Sequence, residues 1–360
     1  RVVTADDTGL IKVVDVAAKK IAFKFGKQAM GNGIEHMCWA PPTDWCGRQT
    51  HVYSVLRNGS VECRSVATGS VVKNFTLSSD KGSVGLGCLG GGRVITCTRK
   101  GQVQIFNDGK EVDKFRVGEK LSAMSVSNHQ QKRYIATGGD EELLKIWDPE
   151  TRKQTFKARN VKNCKLDLRH PVHILSIAFV PGGSGGEEGD SPVVVTGTAH
   201  HQVRLYDTKA QKRPVWSVKP GENAITSVVA MADGKTVIVG DGAGETKEID
   251  LRNGQAVGKF KGVGGAVTCL RVDASGSFVG STSLDRFVRV YERKTRQLVQ
   301  KVYLKQRATS LLFETPKVAD EEQRDEDEDN ENEVWDILEG KKNDSSSKKR
   351  KRPSADEAQS

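Results

Sequence analysis

The sequence predicts an all-β fold in which one four-stranded unit is repeated seven times. Glycine is abundant, with 37 in 360 residues, and Asn-Gly, Asp-Gly and Gly-Asp pairs recur between short runs rich in Val, Ile and Thr. Turn pairs between such runs are typical of short strands joined by tight turns. Stretches with helical periodicity are few, which also favours an all-β protein.

The repeat is marked by a strand that ends in an acidic or small polar residue. Its clearest copy is LKIWD, which ends at Asp148. The other copies are IKVVD, VECRS, VQIFN, VRLYD, TKEID and VRVYE, which end at Asp15, Ser65, Asn107, Asp207, Asp250 and Glu292. Successive markers are 50, 42, 41, 59, 43 and 42 residues apart. A period of about 40–45 residues with four strands per unit predicts a seven-bladed WD40 β-propeller.

Each unit has the same order of elements. A first strand such as ITSVVAM is followed by a second such as TVIVGD, the marked strand and a more polar fourth strand such as QAVGKFKG. Alternating apolar residues pack against the neighbouring blades. We therefore expect Trp147 to fill space between blades and Asp148 to start a turn through side-chain-to-backbone bonds, rather than to form a reactive pair.

The two ends of the propeller region predict how the ring closes. RVVTADD at residues 1–7 resembles a second strand, and ATSLLFE at residues 308–314 is a spare first strand. Their pairing would complete blade one and remove an exposed sheet edge at each end. The predicted domains are a propeller at residues 1–316 and a disordered, charged tail at residues 317–360.

Three insertions interrupt the period, at residues 41–50, 157–172 and 181–192. The last is rich in Gly and acids and is predicted to be a mobile loop inside blade five. The insertion at 157–172 lies between blades four and five and mixes bases with Val161, Leu166 and Leu168. That mixture suits docking better than solvation.

Charge is divided unevenly along the chain. The whole chain carries +10 and the tail from residue 320 carries −7, so residues 1–319 carry +17. A body this basic predicts a polyanionic neighbour, with nucleic acid first and acidic protein second.

Signatures of catalysis and of metal binding are weak. Seven cysteines without a C-x-x-C pair predict neither disulfides nor zinc and indicate a reducing compartment. His170 and His173 near Cys164 match no common zinc spacing. GLGCLG at residues 85–90 fits a dinucleotide fingerprint, but another strand follows it, so a glycine-rich strand is the better interpretation. No apolar run reaches the ~18 residues of a membrane span.

One face of the ring is predicted to be basic, because second-to-third-strand turns and blade connections share a face in a propeller. The residues that it would collect are Arg57, Arg99, Lys100, His200, His201 and Arg286, with Arg159, Lys162, Lys165 and Arg169 from the insertion. A solvated surface is an equally good explanation of the charges, and the apolar residues of the insertion favour docking. Reversal of Arg159, Lys162 and Arg169 to Glu is expected to abolish partner capture without unfolding.

The tail contains two motifs. Its residues 320–333 include ten acids and one arginine, which predicts disorder. EVWDILEG at 333–340 places Trp335, Ile337 and Leu338 in a short amphipathic turn suited to folding onto a partner, with plain disorder as the alternative. A basic cluster predicts nuclear import or RNA contact; it consists of Lys348, Lys349, Arg350, Lys351 and Arg352.

Six segments of the chain bear on its family: ATGGDEELLKIWD, FKARNVKNCKLDLR, HHQVRLYD, EIDLRNGQAVGKFKGVGGAV, LDRFVRVYERKTRQLVQKVYLK and EVWDIL. Together they resemble a known family of nucleolar WD-repeat factors in large-subunit ribosome biogenesis, the NSA-one or WD repeat-containing protein seventy-four family. The most specific is NVKNCKLDLR at 160–169, because generic WD repeats lack it. The usual Gly-His dipeptides are absent, so the hydrogen-bonded tetrad of standard WD blades cannot be assumed.

The resemblance implies a non-catalytic scaffold in the nucleus and nucleolus. Such a scaffold would bind pre-60S assembly factors and pre-rRNA and be released by an AAA-type ATPase acting through the propeller or the tail. The implied partner site comprises Asn160, Lys162, Asn163, Leu166, Asp167 and Leu168, with His201, Gln202 and Arg204 beside it. We expect no cofactor, membrane or small-molecule substrate, and a monomer within a larger complex.

Two other functions compete with this one. The first is a WD40 adaptor or substrate receptor in a nuclear chromatin or ubiquitin-ligase complex. The second is a propeller enzyme, which would need clustered carboxylates or metal ligands that the sequence does not offer.

Overall fold

The computed structural model describes residues 1–41, 49–78, 82–127, 133–163, 166–182 and 191–314. In these parts of the chain, 28 strands form seven four-stranded antiparallel sheets. They are the blades of a seven-bladed β-propeller, as predicted.

The strands of the first four blades follow the chain from its start. Blade one contains β28 (Ala308–Phe313), β1 (Val2–Asp6), β2 (Leu10–Asp15) and β3 (Lys20–Gly26). Blade two contains β4 (Ile34–Trp39), β5 (His51–Leu56), β6 (Ser60–Ser65) and β7 (Val71–Thr76). Blade three contains β8 (Ser83–Cys88), β9 (Val94–Thr98), β10 (Gln102–Asn107) and β11 (Lys110–Arg116). Blade four contains β12 (Leu121–Val126), β13 (Ile135–Gly139), β14 (Lys145–Trp147) and β15 (Gln154–Lys157).

The last three blades repeat this order. Blade five contains β16 (Ile174–Val180), β17 (Val193–Thr198), β18 (Val203–Asp207) and β19 (Trp216–Val218). Blade six contains β20 (Ile225–Ala230), β21 (Thr236–Asp241), β22 (Thr246–Asp250) and β23 (Ala256–Phe260). Blade seven contains β24 (Val267–Val272), β25 (Phe278–Ser283), β26 (Phe287–Glu292) and β27 (Leu298–Tyr303).

The ring closes through blade one, as predicted. Strand β1 pairs antiparallel with β28, and Val2 lies opposite Phe313. The indole N–H of Trp39 in blade two donates to the carbonyl of Phe313 over 2.9 Å, which ties the closing strand to the next blade. Closure satisfies backbone groups that would otherwise form open edges.

The core of the described residues consists of seven apolar clusters, each between two neighbouring blades. Between blades four and five, for example, Leu144 and Ile146 pack in one cluster with Ile174 and Tyr206. Burial of one such aliphatic side chain stabilises the fold by roughly 1.5–3 kcal/mol. The blades are therefore held together mainly by the alternating residues of their strands.

The Trp147–Asp148 pair is structural, as expected. Trp147 packs at the boundary of blades three and four, with its ring centroid 6.5 Å from that of Phe115. The carboxylate of Asp148 accepts the backbone N–H of Glu150 over 2.9 Å and so begins the following turn.

The glycine-rich segment at residues 85–90 begins inside strand β8, which confirms its interpretation as a strand. A Cβ atom on Gly85 would lie 2.6 Å from the Cβ of Met124, and one on Gly87 would lie 2.5 Å from a methyl group of Val126. These positions therefore need glycine because the inner strands of blades three and four approach closely.

The other two insertions lie where they were predicted, between the first and second strands of blades two and five. Most of each insertion, including the predicted mobile loop, is outside the described residues. So are Cys164, Lys165 and the whole tail, with its Trp335 segment and basic cluster.

Candidate partner-binding face

Turns and blade connections share one face of the ring, as predicted. In every blade, the first residue after the second strand donates its backbone N–H to the carbonyl of the residue just before the first strand. The seven pairs, from 2.8 to 3.2 Å, are Asp7 with Arg307, Arg57 with Gly33, Arg99 with Gly82, Asp140 with Lys120, Ala199 with His173, Gly242 with Ala224, and Leu284 with Ala266. The repeated bond fixes every connection against its neighbouring turn.

The insertion loop, residues 158–172, leaves this face between blades four and five. It begins one residue later than expected, because Lys157 is the last residue of β15. Asn160 closes its base: the side-chain Nδ2 donates to the carbonyl of His170 over 2.6 Å. At the other end, the backbone N–H of Glu141 donates to the carbonyl of Val172 over 2.8 Å. Both ends of the loop are thus fixed to the propeller.

Arg204 connects the insertion loop to blade five. Its side chain is only 1% exposed, so its charge is removed from solvent. Nε and Nη2 donate to Oε1 of Gln202 over 2.9 and 2.5 Å, and Nη1 donates to Oδ1 of Asn160 over 3.1 Å. A buried cation is costly unless its donors are satisfied. The loop therefore supplies an acceptor that the buried guanidinium needs.

Four other blades satisfy the base at the equivalent position with an acid from the end of the second strand or from the turn that follows it. These pairs are Lys12 with Asp6 (2.8 Å), Lys145 with Glu142 (2.7 Å), Lys247 with Glu245, and Arg289 with Asp285. They join the third strand to the end of the second strand or to the turn between them, in a propeller that lacks the Gly-His dipeptide. In blade five the acceptors are the neutral amides of Gln202 and Asn160.

The tip of the insertion loop presents apolar side chains to solvent. Leu166 is 80% exposed and Leu168 is 63% exposed. Lys162 and Asn163 are exposed beside them, and Asn163 donates to the carboxylate of Asp167 over 2.9 Å. Asp167 has a φ of 57°, which turns the chain between the two leucines. The described tip is thus a turned segment with two outward leucines.

Two arginines lie near the ends of the loop. Arg159 and Arg169 are exposed, and Arg169 Nη2 lies 3.1 Å from the carboxylate of Glu141. The pair is half exposed on both sides and therefore contributes little stability, in the range of about 0–1 kcal/mol. Reversing Arg169 to Glu would place two carboxylates together and disturb the loop anchor as well as the surface charge.

The predicted residues of the blade-five turn lie beside the loop base. His200, His201 and Gln202 are half-buried, and His201 has a φ of 60°, as a tight turn requires. Gln202 accepts two hydrogen bonds from Arg204, as described above. His201 Nδ1 is buried and has no hydrogen-bond partner in the described part of the chain. The structure therefore brings this turn, Arg204 and the insertion loop together.

The remaining predicted bases are on the same face but farther around the ring. Arg57 belongs to the turn of blade two, Arg99 and Lys100 to that of blade three, and Arg286 to that of blade seven. All four are exposed. These residues add positive charge to other parts of the face. They do not lie at the insertion loop.

No group of His, Cys, Asp and Glu in the described residues could hold a metal ion. His173 forms an isolated β-bridge with Asp140, and the carbonyl of His170 accepts from Asn160. The described residues also contain no helix long and apolar enough to cross a membrane.

Comparison with known proteins places this architecture in a family. The model of the WD domain, G-beta repeat, matches residues 254–292. WD repeat-containing protein 74 of Bos taurus is 33% identical over 319 residues, covering 85% of this chain and 79% of the relative. The chain belongs to the WD repeat-containing protein 74 family. The protein of that name from Homo sapiens is 32% identical over the same length.

Fungal relatives of this family member have a different name. Ribosome biogenesis protein NSA1 of Yarrowia lipolytica is 29% identical over 234 residues, covering 57% of this chain and 56% of the relative. These similarities confirm the resemblance drawn from the sequence segments.

Three residues that anchor the insertion loop in this family member were absent from the predicted site. Glu141 fixes the downstream end of the loop through its bond to Val172. The backbone carbonyl of Lys212 accepts the N–H of Arg159 over 2.8 Å. Arg213 Nε donates to the carbonyl of Asn160 over 3.2 Å. The acid in the GGDEE turn and the basic run KAQKR were visible signals, but their proximity to the loop depends on the fold.

Proposed function

We propose that this chain is a non-catalytic assembly factor in biogenesis of the large ribosomal subunit. Membership of the WD repeat-containing protein 74 family supports this, because fungal relatives carry the name Ribosome biogenesis protein NSA1. The charge of +17 on residues 1–319 suits a particle rich in RNA phosphate. The observation that carries the proposal is the insertion loop, which is fixed at both ends and exposes Leu166 and Leu168.

The proposed mechanism is binding by a preorganised surface. The ring holds both ends of the loop, so docking loses less conformational entropy than it would with a free segment. Leu166 and Leu168 then provide the apolar centre of the interface, and Lys162 beside them steers the approach of an acidic partner.

The finer features of the proposal follow the family resemblance. The chain works as a monomer within a pre-60S particle, where it contacts other assembly factors and pre-rRNA. An AAA-type ATPase releases it through the propeller or the tail. Its location is the nucleus, with accumulation in the nucleolus.

Sedimentation of the full chain with its particles tests this function. The tagged wild-type protein is expected to co-sediment with pre-60S particles in a density gradient. The variant Leu166→Ser/Leu168→Ser is expected to move to the light fractions, because serine removes the apolar contacts. Leu298→Ser/Val299→Ser on β27 is the matched control, since these side chains are 44% and 49% exposed, and it should sediment as wild type.

Two outcomes would contradict the proposal. Wild-type protein found with nucleosomes or a ubiquitin ligase, and absent from pre-60S fractions, would favour the adaptor function. Co-sedimentation that is equal for the loop variant and the control would show that the loop is not the docking element.

A further inference from the structure

A basic cleft of about 350 Å³ lies at the base of the insertion loop, on the side of blade five. It is lined by Arg159, Gln211, Lys212 and Arg213. Three of these side chains are cations, and the fourth carries an amide. Of these residues, the predicted partner site contains only Arg159.

The cleft exists because blade five departs from the regular blade. Its fourth strand, β19, has only three residues, so a long connection separates it from the end of β18 at Asp207. That connection packs against the insertion loop, where the carbonyl of Lys212 accepts the N–H of Arg159 over 2.8 Å. Two segments about 50 residues apart in sequence therefore form the walls of one cleft.

A contact at the wall orients one of the three cations. Arg213 Nε donates to the carbonyl of Asn160 over 3.2 Å, which leaves the two Nη groups of the guanidinium for a ligand. Gln211 Nε2 donates to the carbonyl of Pro214 over 3.0 Å and closes the turn. A fixed guanidinium fork loses less entropy on binding an oxyanion than a free side chain does.

Positive charge in the cleft is not neutralised locally. In the described part of the chain, neither Arg159, Lys212 nor Arg213 forms an ion pair. Asp207, the acid at the start of the connection, does not line the cleft, and its Oδ1 accepts the backbone N–H groups of Lys209 and Ala210 within its own turn. Three unneutralised cations around a small cleft create a local site for an anion.

We propose that this cleft binds a phosphate of an RNA backbone. Its volume is at the small end of ligand sites and is large enough for a phosphodiester group. The fork of Arg213 and the ammonium of Lys212 match phosphate oxygens in charge and in donor geometry. The proposal rests on the proposed function only in naming RNA as the source of the phosphate.

The chemistry of the lining favours RNA over an acidic protein. A protein partner buries apolar side chains at the centre of its interface, and the described lining of the cleft contains no apolar residue. The exposed leucines are at the tip of the loop instead. The tip of the loop thus contacts protein, and the cleft at its base binds RNA phosphate.

Binding of a labelled RNA to the purified full chain tests the inference. The probe is a fluorescent single-stranded RNA of mixed sequence, about 15 nucleotides long, and anisotropy is measured over a range of salt concentrations. Lys212→Glu/Arg213→Glu is expected to weaken RNA binding about tenfold, because it removes charge-assisted hydrogen bonds to the phosphate. The dependence of log affinity on log salt should fall by about 1 for each lost phosphate contact.

Two further variants make the result specific. Lys19→Glu/Lys20→Glu changes the charge equally at the corresponding position of blade one, where Lys19 ends the turn, Lys20 begins β3 and both are exposed, and it should reduce affinity less than about twofold. Lys212→Gln/Arg213→Gln removes the charge without reversing it, so it should also weaken RNA binding, but by less than Lys212→Glu/Arg213→Glu does. Thermal unfolding shows whether each variant is folded.

Three results would overturn the inference. The first is an equal loss of RNA affinity in the blade-one control, and the second is unchanged RNA binding by folded Lys212→Glu/Arg213→Glu. The third is competition by inorganic phosphate or polyglutamate as strong as that by unlabelled RNA, which would assign the cleft to a free anion or an acidic protein. None of these measurements uses particles, so the gradient result for the proposed function is independent of them.

Discussion

Arg204 Nη1 donates a hydrogen bond to Asn160 Oδ1 over 3.1 Å and joins a buried charge of blade five to the base of the insertion loop. Asn160 Nδ2 also donates a hydrogen bond to the carbonyl of His170. One amide therefore closes the loop and satisfies part of the guanidinium. The position of the exposed tip depends on this residue.

Substitution Asn160→Ala is expected to lower the free energy of unfolding by about 1–3 kcal/mol, because it leaves one donor of Arg204 unsatisfied. It should also speed amide hydrogen exchange in residues 161–169. Asn160→Asp keeps an acceptor for Arg204 but loses the donor to His170, so it should speed exchange with a smaller loss of stability. Slow, unchanged exchange in Asn160→Ala would contradict the anchoring role.

Buried and exposed ion pairs are expected to stabilise the blades unequally. Lys12 and Asp6 are buried and 2.8 Å apart, and Asp6→Ala leaves the ammonium without its carboxylate. We expect a loss of about 3–5 kcal/mol in urea unfolding. Glu119→Ala breaks an exposed pair with Arg116 and should cost less than about 1 kcal/mol. Equal losses of unfolding free energy in the two variants would show that burial does not determine how much an ion pair contributes to stability.

Asp285 predicts a dependence of stability on acid pH. Burial alone would raise the pKa of this carboxyl, but hydrogen bonds from Arg289, Ser283 and the backbone of Phe287 lower it from 3.8 to about 2. A lowered pKa in the folded state contributes stability above about pH 4, which is lost as the pH falls towards 2. The stability difference between wild type and Asp285→Asn should therefore shrink over this range. A difference that stays constant from pH 5 to about pH 2 would refute the assignment.

Deletion of the basic cluster in the tail is expected to reduce nuclear accumulation, because the cluster matches an import signal. The cluster consists of Lys348, Lys349, Arg350, Lys351 and Arg352. Deletion of residues 355–359, which are not basic, is the control of equal length. Microscopy of the tagged full chain measures both, and a deletion variant that remains nuclear would exclude the cluster as the import signal.

The ring itself was predictable from the sequence. The spacing of the marked strands and the alternation within them depend on local sequence, and the spare strand at residues 308–314 had one place to pair. Trp147 and Asp148 were correctly interpreted for the same reason, because each acts within its own blade or against a neighbouring one.

The contact of Arg204 with Asn160 was not predictable in the same way. The position of Arg204 in the marked strand is visible, and equivalent bases in four other blades pair with an acid close in sequence. In blade five the partner Asn160 lies 44 residues away, in an insertion without a repeat to guide the alignment. The cleft formed with Lys212 and Arg213 depends in addition on the shortness of β19.

Crosslinking of the full chain in isolated pre-60S particles, mapped to residue and nucleotide, tests the central claim most directly. We predict protein crosslinks at residues 161–169 and RNA crosslinks at Arg159, Lys212 and Arg213. Crosslinks confined to other blades, with none at the insertion loop or its base, would contradict the account.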